Sequence, residues 1–196
     1  CIRDSIRTSS PVRGIRRTHD AVEIETDLAG TERFDAVVIG AHSDQALRML
    51  RDPSPQEIEI LGAIPYQPNP TTLHTDTSVL PRRDRARASW NYRVPRDPGR
   101  AATVTYDMNR LQGLDAERRY LVSLNQDDEI AQADAIARIA YEHPIYTPFT
   151  RGAQRRRAEI SGVDRTWYCG AYWGHGFHED GVQSALAVCR DFRLAV

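Results

Sequence analysis

A chain of 196 residues, 40% hydrophobic and 27% charged, is long and apolar enough to bury a core, which excludes a disordered tail and a coiled-coil rod. Its formal net charge is −1, from 26 basic and 27 acidic side chains, so no global positive field draws nucleic acid or anionic lipid to it. Every basic residue is arginine, so this chain cannot supply a lysine as base or Schiff-base former.

The N-terminus, CIRDSIRTSS, lacks the charged-then-apolar pattern of a secretory signal, and no run approaches the ~18 apolar residues of a membrane span, so a cytoplasmic protein is expected. Cys1 leads almost at once into strand-like sequence, and the expectation is a piece of a longer polypeptide. Cys1, Cys169 and Cys189 are odd in number and lack C-x-x-C spacing, which argues against a disulfide framework and a structural zinc site.

Val12 and Ile15, then Val22, Ile24 and Thr26, alternate with polar neighbours, and the clusters THD and LAGTE supply turns before the apolar run 36–39. This reads as strand, turn, strand, turn, and a strand covered on both faces as in a parallel sheet. SDQALRML reads as a helix with Ser43 as N-cap and Ala46, Leu47 and Leu50 on one face. Five prolines between 53 and 70 mark a crossing and a domain boundary, with a helical turn over 56–61.

The segments TTLHTDTSVL, RASWNYRV, AATVTYDMN and RYLVSLN are short and β-branched or aromatic, and predict an antiparallel sheet. His74 and Asp76 fall on one solvated face of it, as do Trp90 and Tyr92. DDEIAQADAIARIAYEHP, acidic at its start and closed by His143 and Pro144, predicts a helix, and a second helix is expected over 153–160. The arginine groups at 82–87 and 155–157 are offset by acids and read as solvated surface. No internal repeat or low-complexity tract is found.

The last stretch, TWYCGAYWGHGFHEDGVQSALAVCRDF, predicts a strand over 167–169, a loop loosened by Gly174, Gly176 and Gly181, and a helix from Val182. Strand, glycine loop and helix N-terminus make an anion or dipole site, or else an ordinary corner with structural glycines. His175, His178 and Glu179 are of metal-ligand type but lack a fourth partner, so no metal is assigned.

The run V-x-x-I, turn, VEIET, turn, FDAVVIGAHSDQAL, with the tail TWYCGAYWGHGFHEDGVQSAL, resembles the flavin-containing amine oxidase superfamily. More narrowly, ASWNYRV, VTYDMNRLQGL, YEHPIYT and the tail resemble a bacterial group of predicted FAD-dependent oxidoreductases, and together these cover nearly the whole chain. The resemblance implies an α+β (α/β) fold, the C-terminal half of an FAD-binding oxidoreductase. Residues 1–52 and 151–196 would be pieces of a Rossmann-like flavin domain, with an antiparallel substrate-binding insert at 53–150.

It also implies FAD as cofactor and assigns roles. Val12 would meet the adenine, and Gly170 and Ala171 the ribityl chain and pyrophosphate. Gly176 would loosen the loop at the cofactor, with Gly181 and Val182 at the helix start facing the flavin pyrimidine oxygen. Tyr172 and Trp173 would wall the substrate side or pack under the loop, and Phe177 and His178 would lie nearest the catalytic face. Ala171 stands where many relatives place an acid, a role that Glu179 or Asp180 would take over. No G-x-G-x-x-G phosphate fingerprint is present, so the chain alone is expected to hold FAD weakly or not at all, the cradle lying in the missing N-terminal half.

The implied activity is hydride transfer from an amine-like or hydrophobic small molecule to flavin. The alternatives are flavin-dependent desaturation or isomerisation of a lipid-like molecule, and a non-catalytic, cofactor-free domain. A homo-oligomer stays open; nucleic-acid and membrane partners are not expected.

Overall fold

The structure, a computed structural model, describes residues 5–97 and 99–192, so Cys1 lies outside the described residues. The chain divides into two units, Cys1–Tyr66 with Pro144–Val196, and Gln67–His143. The borders differ from the expected 52/53 and 150/151 because the helix within the proline-rich crossing joins the core of the first unit through Ile60 and Leu61, both fully buried.

In the first unit, β1 (Val12–Arg17), β2 (Val22–Thr26) and β3 (Gly30–Phe34) form an antiparallel sheet. The cluster LAGTE was expected as a turn only. Thr26 instead pairs directly with Gly30, whose φ of +66° closes a tight reversal, and GTERF continues as an edge strand. Its residues are mostly polar, so no apolar alternation announced it.

β4 (Val37–Ile39) runs parallel to β10 (Thr166–Tyr168), with Ile39 opposite Tyr168. Coverage on both faces does not hold: Ile39 is buried, but Val38, on the other face, is 46% exposed.

Helix α1 (Ser43–Met49) starts after His42, with Ser43 inside rather than capping it. α2 (Pro55–Gly62) is longer than the expected turn, because Ser54 accepts from the Glu57 N–H at 3.2 Å while the Glu57 carboxylate accepts from the Ser54 N–H at 2.8 Å. The same carboxylate is paired with Arg17 at 2.7 Å and accepts a hydrogen bond from the Tyr168 hydroxyl at 2.5 Å, joining β1, α2 and β10 at the centre of the unit. Burial opposes the Glu57 charge, but these partners outweigh it and hold its carboxyl below the usual range. α4 (Pro148–Arg155) lies upstream of the expected 153–160, since Thr147 caps it and Pro148 occupies its first turn; a 3₁₀ turn, Arg157–Glu159, follows.

The second unit is built on a sheet in the order β6 (Trp90–Arg93), β7 (Thr103–Asp107), β8 (Leu121–Leu124), β5 (Tyr66–His74), β9 (Ala135–Pro144). Adjacent pairs among β6, β7, β8 and β5 are antiparallel, as expected. A short helix, α3 (Met108–Gln112), begins at the Asp107 cap and stops at Gly113, which is left-handed at φ 63°.

The helix expected over 127–144 is instead a turn followed by β9. The acids meant to complement a helix dipole are engaged elsewhere: Asp127 takes the Thr72 hydroxyl proton, Asp128 pairs with Arg100 and Glu129 with Arg93. AIARIAYEHP then satisfies its backbone as an edge strand, where alanine's helix preference is outweighed by strand pairing.

His74 and Asp76 do not share a solvated face. His74 is fully buried in β5, whereas Asp76 lies past the strand end and accepts from the Ser78 N–H at 2.9 Å. His74 Nε2 lies 2.9 Å from Ser123 Oγ, which is 2.7 Å from Thr105 Oγ1, and Thr105 donates to Gln126 Oε1 at 3.3 Å. The Glu129 carboxylate accepts from Gln126 Nε2 at 3.2 Å, which turns the amide oxygen toward Thr105 and fixes the direction of the chain. The Thr105 proton goes to Gln126, the Ser123 proton to Thr105, and the His74 Nε2 proton to Ser123. Burial keeps the ring pKa below its usual value, in line with a neutral imidazole.

Candidate functional site

Parallel strands end at the same edge of their sheet, and in open parallel sheets ligands bind outside that carboxyl edge. After Ile39 the first strand leaves through Gly40, Ala41 and His42 into α1. After Tyr168 the second leaves through Cys169 and Gly170 into a 3₁₀ turn, Ala171–Trp173, and then α5 (His178–Asp191). The Cys169 N–H still bonds the Ile39 carbonyl at 3.1 Å, so both exits start side by side.

The loop is tightly specified. A Cβ at Gly170 would collide with the Tyr172 ring, and one at Gly174 with the Asp180 carboxylate. Gly176 combines φ +90° with the Tyr146 hydroxyl, which would sit 2.7 Å from an added Cβ. Asp180 accepts from the Phe177 N–H at 2.9 Å and the His175 N–H at 3.0 Å, and these bonds lower its pKa. Gln154 of α4 donates to the carbonyls of Tyr172 (2.9 Å) and Gly174 (2.6 Å), and Ser184 Oγ accepts from the Gly170 N–H at 2.8 Å.

The Asp180 cap starts α5 at His178, four residues before the expected Val182. Gly181 therefore lies inside the first turn, with its N–H donated to the Phe177 carbonyl at 3.3 Å. The N–H groups of His178, Glu179 and Asp180 are the ones that helix geometry leaves without an intrahelical acceptor. A Cβ at Gly181 would sit in ordinary contact with Ala171, 3.8 Å from its nitrogen, so these two positions adjoin.

The structure separates the other sequence-derived candidates. Tyr172 is buried and lies against Trp173, ring centroids 4.9 Å apart. Phe177, Val182 and His178 are exposed, and Glu179 accepts from Gln183 at 2.7 Å. Val12 packs on the core from β1, in the three-stranded sheet rather than in the parallel pair. His175 accepts from Arg151 at 3.2 Å. Among the described residues no group of three or more His, Cys, Asp or Glu could hold a metal ion. Nor, among them, is any helix long and apolar enough to cross a membrane. Arg157, expected on the surface, is half-buried: it donates to the Ser184 carbonyl at 2.9 Å and stands 5.7 Å over the Trp173 ring.

What sequence reasoning missed is the other exit. Seven buried side-chain polar atoms among the described residues have no hydrogen-bond partner, and five of them come from the two exits: His42 Nδ1, Ser43 Oγ, Asp44 Oδ1, Tyr172 Oη and Trp173 Nε1. Buried polar atoms are ordinarily paired, so five unmet ones at the two exits set this edge apart from the rest of the unit. The His42 ring stacks on Tyr66 at 4.5 Å, and the Tyr66 hydroxyl accepts from the Ser43 N–H at 3.1 Å. Burial raises Tyr66 and pushes Tyr146 up to about 12, so both phenols stay protonated as donors at neutral pH. The readable signal was AHSD, polar residues immediately after a buried strand.

No protein-family model matches the chain, and no curated protein matches it. Among solved structures, a CLA-producing fatty acid isomerase from P. acnes is similar at a TM-score of 0.57 and 15% identity, over 93% of this chain and 47% of that one. Putrescine oxidase, solved with putrescine bound, is similar at a TM-score of 0.57 and 11% identity, over 94% of this chain and 48% of that one. At such identities the likeness is one of fold. The chain spans about half the length of the solved structures it matches.

Proposed function

We propose that the chain is the C-terminal part of an FAD-dependent, amine oxidase-like oxidoreductase, with the flavin held at the carboxyl edge of β4 and β10. The observation that carries this is the set of unpartnered buried polar atoms at that edge: it fits the carbonyl and N–H rim of a flavin, which offers acceptors and donors together. FAD, when bound, supplies hydride acceptance from an amine-like or hydrophobic substrate. Gly170 and Ala171 would let the ligand approach backbone, and the first turn of α5, with Gly176, Gly181 and Val182, would present its positive end to developing negative charge. Asp180 is occupied in capping the loop, so holding hydroxyl groups would fall to Glu179, whose Oε1 accepts from Gln183. Phe177 and His178, exposed, would face substrate, and Tyr172 and Trp173 would pack behind the ring. The second unit, Gln67–His143, would form the substrate-binding insert.

A second reading, isomerisation or desaturation of a lipid-like substrate, is favoured by the likeness to a fatty acid isomerase and by a chain without lysine. Riboflavin titrated into the chain and followed by flavin fluorescence should bind weakly and saturably, and a Ser43→Ala, Tyr172→Phe double variant should lose that binding at unchanged circular dichroism. Absence of riboflavin binding would remove the flavin assignment. FAD carried stoichiometrically through gel filtration would instead remove the inference that the phosphate cradle lies elsewhere.

A further inference from the structure

The second unit contains a cleft of about 340 Å³ that the flavin reading does not use, formed by the turn after β5 and by β6 and β7. Val79, Leu80, Pro81 and Tyr92 give it an apolar wall, and Arg82 and Arg93 are its charged lining residues; no carboxylate lines it. Arg93 is committed to Glu129. Arg82 is exposed and has no acidic partner among the described residues.

The floor adds little acceptor capacity. The Thr105 hydroxyl proton goes to Gln126, and its oxygen already accepts from Ser123, while the Gln126 amide is held by Thr105 and Glu129. Arg82 is the one charged lining group without an acidic partner among the described residues, so a ligand that satisfies it must bring acceptor oxygens, and one that fills the cleft an apolar body. We propose that this cleft binds a small carboxylate with an apolar body, the carboxylate on the planar Arg82 fork and the body against Val79, Leu80 and the Tyr92 ring. An exposed guanidinium alone gives little affinity, so the wall supplies most of the binding and Arg82 the choice of headgroup.

Calorimetric titration of the full chain with phenylbutyrate, phenylbutylamine, phenylbutanol and inorganic phosphate tests this. The acid should bind at one site, the amine at least about tenfold more weakly, and phosphate should not displace the acid. Arg82→Gln should weaken the acid about fivefold or more and leave the alcohol unchanged. Ser78→Asp, an exposed change on the rim, should reverse the preference toward the amine. Equal binding of acid and amine, an Arg82→Gln variant that binds the acid as before, or no saturable binding would overturn the proposal. Displacement by phosphate would reduce the cleft to an anion site and overturn it equally.

Discussion

The two units treat buried polar groups in opposite ways. Under the second unit's sheet, His74, Ser123, Thr105, Gln126 and Glu129 pass hydrogen bonds along one directed chain, and only His74 Nδ1 is left over. In the first unit, Arg17, Glu57 and Tyr168 satisfy one another at the centre, while the edge above them leaves five polar atoms unmet. Paired polar groups fix a structure, whereas unmet ones cost it stability; in the proposed reading, a ligand would offset that cost.

The contrast can be broken most forcefully at its best-paired member. Glu57→Gln leaves the buried Arg17 with Asp52, 2.9 Å away, as its remaining anion and should cost about 3 kcal/mol in urea unfolding, the low end for a broken buried pair. The pH dependence has a definite sign. Because the folded pKa of Glu57 is lowered, its contribution is complete above the unfolded value of about 4.3 and is lost as pH falls through the folded value. The variant's stability should therefore change less with acid than the wild type's, and parallel profiles would contradict the assignment.

A smaller loss is expected in the second unit. Ser123→Ala strands the His74 Nε2 proton and removes one acceptor–donor link, about 1–3 kcal/mol by chemical denaturation. A neutral result there would mean that the chain is not cooperative. The smallest effect sharpens the comparison by changing sign: Tyr172→Phe removes a buried hydroxyl with no partner and should leave the unliganded protein unchanged or up to about 1 kcal/mol more stable. A melting temperature that falls clearly would show the hydroxyl to be structurally paired.

The sequence made some of this readable and hid the rest for physical reasons. Alternation pointed to β1 and β2, and β-branched or aromatic composition to β6, β7 and β8; β5 is legible only in part, since it runs over Tyr66–His74 rather than 71–80 and Thr77–Val79 is a 3₁₀ turn. Sequence pattern failed at β9, where an acidic start and a close at His143 and Pro144 imitate helix boundaries and most side chains are exposed, so the partner strand rather than periodicity decides. It misplaced α5 because HED reads as loop until Asp180 is seen to cap backward onto Phe177. At the loop, TWYCG announced the glycines, but His42 and Ser43 become notable only when burial shows that no group meets His42 Nδ1 or Ser43 Oγ.

The parallel pairing of β4 with β10 has a kinetic consequence. Val37 and Thr166 belong to distant parts of the chain, and loop closure over such a span is entropically costly and slow. The second unit is contiguous, and β5 and β9 are neighbours in its sheet, so its completion sets the two ends of the intervening segment side by side, where the Ile145 N–H reaches the Pro65 carbonyl at 2.8 Å. Once that segment has formed, the loop that the β4–β10 pairing must close is effectively shorter, so the entropic cost of this one long-range pairing falls.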